Sequence, residues 1–273
     1  MANPFKSVED FEKDINSFLR IHKTYINEQG RRISDYFEMN CYNYVVKYYE
    51  HQGFTLSIEN LKAGKFKYKL SPGGYPENFS YFRIVLQYRE EEKLYEVNFE
   101  IHHNLTVQSG FQRDIYLTPD IAVINANAIV EDHDHYIVEH SKKKFCYVQN
   151  HDLQTFCEVK QFNPFPELLF NFTGMYAELK MSALNGDQHY KPPKHLAPSL
   201  MLSGKGNRHT QRIKESLEKR HFVNIIFDLF DTGSITFSDY GKNELYFISS
   251  QNTTPNLVEP QKLFLVSEDD LPF

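Results

Sequence analysis

Apolar and polar residues recur along this chain with two periods, and the points where one gives way to the other divide it into elements. Over 7–29, Phe11, Ile15, Phe18, Leu19 and Ile26 fall at helical spacing behind Ser7. Glu9 and Asp10 stand in the first turn, where the helix dipole favours acids, and Gly30 is the stop. A second helix opens near Ser34, whose hydroxyl can cap it, with Asp35 behind; its stripe is Phe37, Cys41, Tyr44, Val45 and Tyr48, and Gly53 ends it. Alternation of strand type follows over 54–58 and 66–70, broken by the turn Ser71-Pro72-Gly73-Gly74. Segments 81–88 and 94–101 then predict a long hairpin through the charged tip Arg89-Glu90-Glu91-Glu92-Lys93. The short apolar run 121–124 suits the centre of a sheet.

Beyond it, 126–152 reads as an excursion, with 145–148 and 154–162 pairing across the turn Gln149-Asn150-His151-Asp152. Asn163-Pro164-Phe165-Pro166-Glu167 starts a helix, since proline is tolerated in a first turn. Leu168, Leu169, Phe172, Met175, Tyr176 and Leu179 give that helix a face for the sheet, and Gly186 with Pro192-Pro193 closes the segment. A short apolar run over 196–202, a basic helix over 207–221 and a last core strand over 223–230 complete the pattern. The order is helix, three-strand meander, helix, strand, then a helix and strand as extension, which predicts an α/β fold with a mixed central sheet.

Composition changes this picture little. The 273 residues are 41% hydrophobic and 15% aromatic, ample for a packed core. A formal charge of −6 counts against generic coating of nucleic acid but leaves room for local basic faces: 62–69, Lys142-Lys143-Lys144, and 205–220 with Arg208, Arg212 and Lys214. Cys41, Cys146 and Cys157 are too few and too scattered for a metal site, so they read as reduced, mostly buried thiols. The first ten residues lack the apolar core of a signal peptide and no run approaches a membrane span, so a cytoplasmic chain is expected. Oligomeric state is left open, a homodimer included.

Chemistry concentrates over 113–161. Asp120 follows Pro119 at the mouth of the 121–124 run. Glu158 and Lys160 flank Val159 in the strand over 154–162, and alternation points both to one face. Two carboxylates and an ammonium are the minimum kit for metal-assisted phosphodiester hydrolysis. Pro119-Asp120 with Glu158-Val159-Lys160 resembles the PD-(D/E)xK signature of the restriction-endonuclease-like nucleases, over roughly 33–230. The resemblance implies that family's α-βββ-α-β core, with N-terminal helices before it and a C-terminal β extension after. It also implies a Mg²⁺ (or Mn²⁺) ion on Asp120, Glu158 and the Val159 carbonyl, with Lys160 as the catalytic cation. Glu38 matches the glutamate such proteins carry on the helix before the sheet, and Gln161 a polar position the family often has. The same letters also describe a solvated ion pair at a sheet edge.

Reserve acids are Glu100, which shares a face with His102, and Asp114; otherwise Glu100 is a ladder residue facing solvent and His102-His103 mark a strand end. Zinc on His133 and His135 is the weaker metal reading, for want of further ligands at zinc spacing. Arg208, Arg212 and Lys214 are the expected nucleic-acid contacts, with DNA the first expectation as substrate. Ser267-Glu268-Asp269-Asp270-Leu271-Pro272-Phe273, preceded by a strand-like 263–266, resembles the acidic tip of bacterial single-stranded-DNA-binding protein. That implies a protein partner reading Asp269, Asp270, Leu271, Pro272 and Phe273 through a pocket for the terminal ring. The expected domains are an N-terminal helix to 32, a nuclease-like domain over 33–230, and a β extension with acidic tail over 231–273. The leading expectation is a metal-dependent nuclease, by analogy a restriction or anti-phage effector. The rival is a non-catalytic module on the same fold that captures partners through its tip.

Overall fold

A computed structural model describes residues 33–90, 92–135, 144–184, 195–229, 234–238 and 245–249. The helix expected over 7–29, the strand over 263–266 and the acidic tip lie outside the described residues.

The chain builds a mixed seven-stranded sheet in the order β1 (Thr55–Glu59), β2 (Tyr81–Glu90), β3 (Lys93–His103), β6 (Ile121–Asn125), β9 (Leu153–Lys160), β10 (Ser199–Leu202) and β11 (Asn224–Ile226). The first five run antiparallel to their neighbours, while β9, β10 and β11 are parallel. Parallel neighbours need a crossover. Helix α2 (Pro166–Leu184) lies between β9 and β10 in sequence, and α3 (Arg208–Arg220) between β10 and β11. The fold class is therefore α/β with a mixed sheet.

Alternation along the central strands sorts the core into two layers. Ile121, Val123, Cys157 and Val159 join Phe37, Cys41, Tyr42, Val45 and Tyr49 of α1 (Ile33–His51) on one face. Ala122, Ile124 and Phe156 join Leu169, Phe172, Tyr176 and Leu179 of α2 and Leu217 of α3 on the other. Each fully buried side chain of this size stabilises the fold by roughly 1.5–3 kcal/mol. α1 is buried on more sides than its predicted stripe, with Tyr42, Val46 and Tyr49 enclosed as well. Its phenols reach across the core: the Tyr42 hydroxyl donates to the Ile101 carbonyl at 2.6 Å, and Tyr49 meets His195 Nδ1 at 3.0 Å.

Some local readings change. The alternating stretch 66–70 forms no ladder strand: Phe66 and Tyr68 turn into the core, while the Lys67 backbone bonds Ser80. Segment 145–148 does not pair with β9. As β8 (Phe145–Val148) it pairs with β7 (Ile129–Asp132) and, in parallel, with β4 (Val107–Gln108), making a four-stranded sheet with β5 (Tyr116–Leu117). Asn150–Asp152, expected as a hairpin turn, is one turn of 3₁₀ helix. The last core strand shortens to Asn224–Ile226. β12 (Ser234–Ser238) and β13 (Leu245–Ser249) form an antiparallel pair.

Candidate active site

Pro119 cannot donate to a ladder, so pairing of β6 begins at Ile121 and Asp120 stands at the sheet's rim. The β6–β9 register sets Ile121 opposite Cys157, which brings Asp120 beside Glu158. The parity of 120, 122 and 124 matches that of 156, 158 and 160, so all three polar heads share the face covered by α2 and α3.

There they close into one cluster. Lys160 Nζ lies 2.7 Å from Asp120 Oδ2 and 2.9 Å from Glu158 Oε2. The Val159 amide also donates to Asp120 Oδ2, at 2.7 Å. The side chains of Asp120 and Glu158 keep only 11% and 13% of their surface exposed, against 32% for Lys160, so the ammonium is the cluster's wet side. Burial first, then the charge of Asp120, pushes the Glu158 carboxyl up to about 7, against the pull of Lys160. Burial opposes the Lys160 ammonium, but Asp120 and Glu158 outweigh it, and the lysine holds its proton above the ordinary range.

The oxygen donors suit a hard divalent cation, and both carboxylates already converge on a single positive charge, that of Lys160. Among the described residues no third carboxylate joins them at ligand distance. Among the described residues, only Glu77, Glu131 and Cys146 form a group of three or more acidic, thiol or imidazole side chains whose ligand atoms all lie within 4.8 Å. Lys144 already bridges that group, at 2.8 Å from Glu77 and 2.7 Å from Glu131. Glu38 stands on α1, the helix whose core residues pack on the opposite face. Burial, the Cys157 thiol, Glu38 and Asp120 all push the Cys41 thiol up, so both carboxylates lie within electrostatic reach of one buried sulfur.

The reserve acids go elsewhere. Glu100 does not face solvent; it is buried and accepts from Arg83 at 2.9 Å, His102 Nε2 at 3.0 Å and the Asn127 amide at 3.2 Å. His102 and His103 are buried too, His102 stacked on Tyr81 and His103 packed against Tyr42 and Tyr68. Asp114 is exposed on the loop before β5. Among the described residues His133 and His135 share no ligand set: His133 approaches Glu131 at 3.8 Å, and His135 stacks on Phe145. The three cysteines are free and buried.

Of the expected nucleic-acid contacts, Arg208 and Arg212 are exposed one turn apart on α3, whereas Lys214 is paired with Glu218 at 3.2 Å. Two lysines of the basic stretch 62–69 are spent internally. Lys69 is buried, donating to the carbonyls of Asn104 and Pro72, and Lys62 donates to Asn60 and Glu77.

One part of the site was not singled out in the sequence. Because β9 and β10 are parallel and their exits short, α2 and α3 both start at the site's edge of the sheet. The two exits are stitched together: Ser203 donates to the Lys160 carbonyl at 3.3 Å and Gly204 to that of Phe162 at 3.1 Å. A Cβ on Gly204 would fall 2.2 Å from Asn163 Oδ1 and 2.7 Å from the Phe162 carbonyl oxygen, so only glycine fits. The signal was the two glycines of Ser203-Gly204-Lys205-Gly206-Asn207 next to a helix cap.

No family model matches the chain, and neither a curated protein nor a solved structure is significantly similar to it. Among the described residues no helix is long and apolar enough to cross a membrane.

Proposed function

We propose that this chain is a Mg²⁺- or Mn²⁺-dependent nuclease with a restriction-endonuclease-like core, cleaving phosphodiester bonds, with DNA the substrate to test first. The observation that carries the reading is the convergence of Asp120 and Glu158 on one cationic group at 2.7 and 2.9 Å, on a common face at the rim of the sheet. Topology lends support, with an antiparallel meander leading to β6 and β9, a crossover helix, and a parallel strand beyond.

Asp120 and Glu158 would hold the ion, with the Val159 carbonyl as the proposed further oxygen. When bound, the ion supplies Lewis-acid charge to the phosphate and lowers the pKa of an attacking water. The Val159 amide fixes Asp120 in place, leaving its other oxygen for a ligand. Lys160, held protonated by its two neighbours, is suited to stabilising negative charge on the phosphate and unsuited to accepting a proton from water. Its partial exposure lets the ammonium swing from the carboxylates toward a substrate.

The deciding experiment compares wild type with Asp120→Asn, Glu158→Gln and Lys160→Met on plasmid, single-stranded DNA and RNA, in Mg²⁺, Mn²⁺ or EDTA. Each variant is expected to lose at least about 100-fold in cleavage rate, as for loss of a charge-stabilising group. Circular dichroism should remain that of the wild type. Cutting that survives EDTA, or persists undiminished in all three variants, overturns the proposal.

A further inference from the structure

Phe162 lies two residues beyond Lys160 with 55% of its surface exposed. Its backbone is pinned at both ends: the amide donates to the Lys160 carbonyl at 2.9 Å, and the carbonyl accepts from Gly204 at 3.1 Å. A large apolar ring is thus held in water by a fixed main chain two residues from the Lys160 cluster. Phe165, also exposed, follows at the threshold of α2, with buried Pro164 anchoring the loop between them.

Cations follow on the segment whose Gly204 amide is hydrogen-bonded to the Phe162 carbonyl. Lys205 follows directly on Gly204 and is 68% exposed, with Asp228 3.5 Å away. Arg208 opens α3, exposed, three residues further on. Rings alone would suit an apolar peptide, whereas rings and cations on two joined segments suit a polymer that carries both flat apolar faces and anions.

We propose that the site takes single-stranded nucleic acid, with an unpaired base stacked on Phe162 and the backbone running past Lys205 and Arg208. The hydrolytic reading supplies the cutting step in this proposal, but the binding does not depend on it. A duplex buries its base faces against one another, so a ring presented in this way meets a face only when the base is unpaired. The chain's formal charge of −6 points the same way, since a long duplex track calls for an extended basic surface.

The test is fluorescence anisotropy of the full chain with a fluorescein-labelled oligothymidine, in EDTA and again in Ca²⁺. Phe162→Ala is expected to weaken binding about tenfold, the scale of one base–aromatic stack. Phe162→Tyr should bind as wild type does. On an oligonucleotide with abasic sugars the Ala variant should match the wild type. Equal affinity of Phe162→Ala and wild type for oligothymidine, no wild-type binding in either buffer, or equal competition by a duplex of the same length overturns the proposal. Weakened binding by Phe162→Ala with no wild-type cleavage in Mg²⁺ or Mn²⁺ sinks the hydrolytic reading and leaves this one standing. Cleavage that depends on Glu158, combined with unchanged binding by Phe162→Ala, does the reverse.

Discussion

Glu158 carries opposing demands in one side chain, because the proposed metal binding needs it ionised while burial and Asp120 favour its proton. Its folded pKa stands above the ordinary carboxyl value, so the stability it contributes is complete below about 4.5 and is lost as pH rises through about 7. Glu158→Gln should remove that slope, and thermal melts of both proteins from pH 4 to 8 should show their difference growing with pH. The same proton competes with the proposed ion, so Mn²⁺ affinity by electron paramagnetic resonance should rise across this window. His103 tilts stability the other way. Burial, then the charges of Lys69 and His102, pushes it down to about 3 from an ordinary 6.5, and neither ring nitrogen has a hydrogen-bond partner among the described residues. Its contribution is present above 6.5 and is lost as pH falls toward 3. Replacing an unsatisfied polar ring with an apolar one of similar shape is neutral to stabilising. His103→Phe is therefore expected to raise the denaturation midpoint by up to about 2 kcal/mol of stability and to flatten the acid limb; a lower midpoint at pH 7 would contradict this.

Between elements, the stitch between the β9 and β10 exits carries the geometry of the site. Gly204→Ala must push Asn163 and the Phe162 carbonyl aside, backbone included. The expected cost is about 1–3 kcal/mol, as for overpacking a filled site. Because Ser203 and Lys160 share a hydrogen bond across the same seam, cleavage should fall along with the denaturation midpoint. Gly174→Ala, whose Cβ would meet nothing within 4 Å, is the control. This seam also marks where the sequence stopped being informative. α1, the β2–β3 hairpin, β6, β9 and α2 each repeat one period for long enough to be read, and alternation alone set Glu158 and Lys160 on one face. The second sheet was hidden because its strands are two to four residues long and pair segments remote in sequence. Segment 66–70 alternates because Phe66 and Tyr68 feed the core beneath α1, so alternation reported burial without a ladder. Glu100 was misplaced because alternation gives a side chain's face and not what covers it; Arg83, seventeen residues away, is what encloses it.

For the molecule as a whole, the question is how a chain of formal charge −6 would engage the proposed polyanion. Several of the described lysines are spent internally. Lys69 is buried, Lys144 bridges two glutamates, and Lys214 is paired along its own helix. Exposed at this edge of the sheet are Arg208, Arg212 and Lys205, the last of these 3.5 Å from Asp228, where the exit from β10 becomes α3. Counterion release scales with the phosphates neutralised, at about 0.7 per contact for a single strand. Three contacts predict a slope of log affinity against log salt of about −2, shallow for a nucleic-acid-binding protein. Arg208→Ala should reduce that slope by about 0.7, while Lys214→Ala, removing a cation already held by Glu218, should leave it unchanged. A slope much steeper than −2 in the wild type would mean that the strand runs well beyond this corner, along a basic surface other than the one formed by α3 and its entering loop.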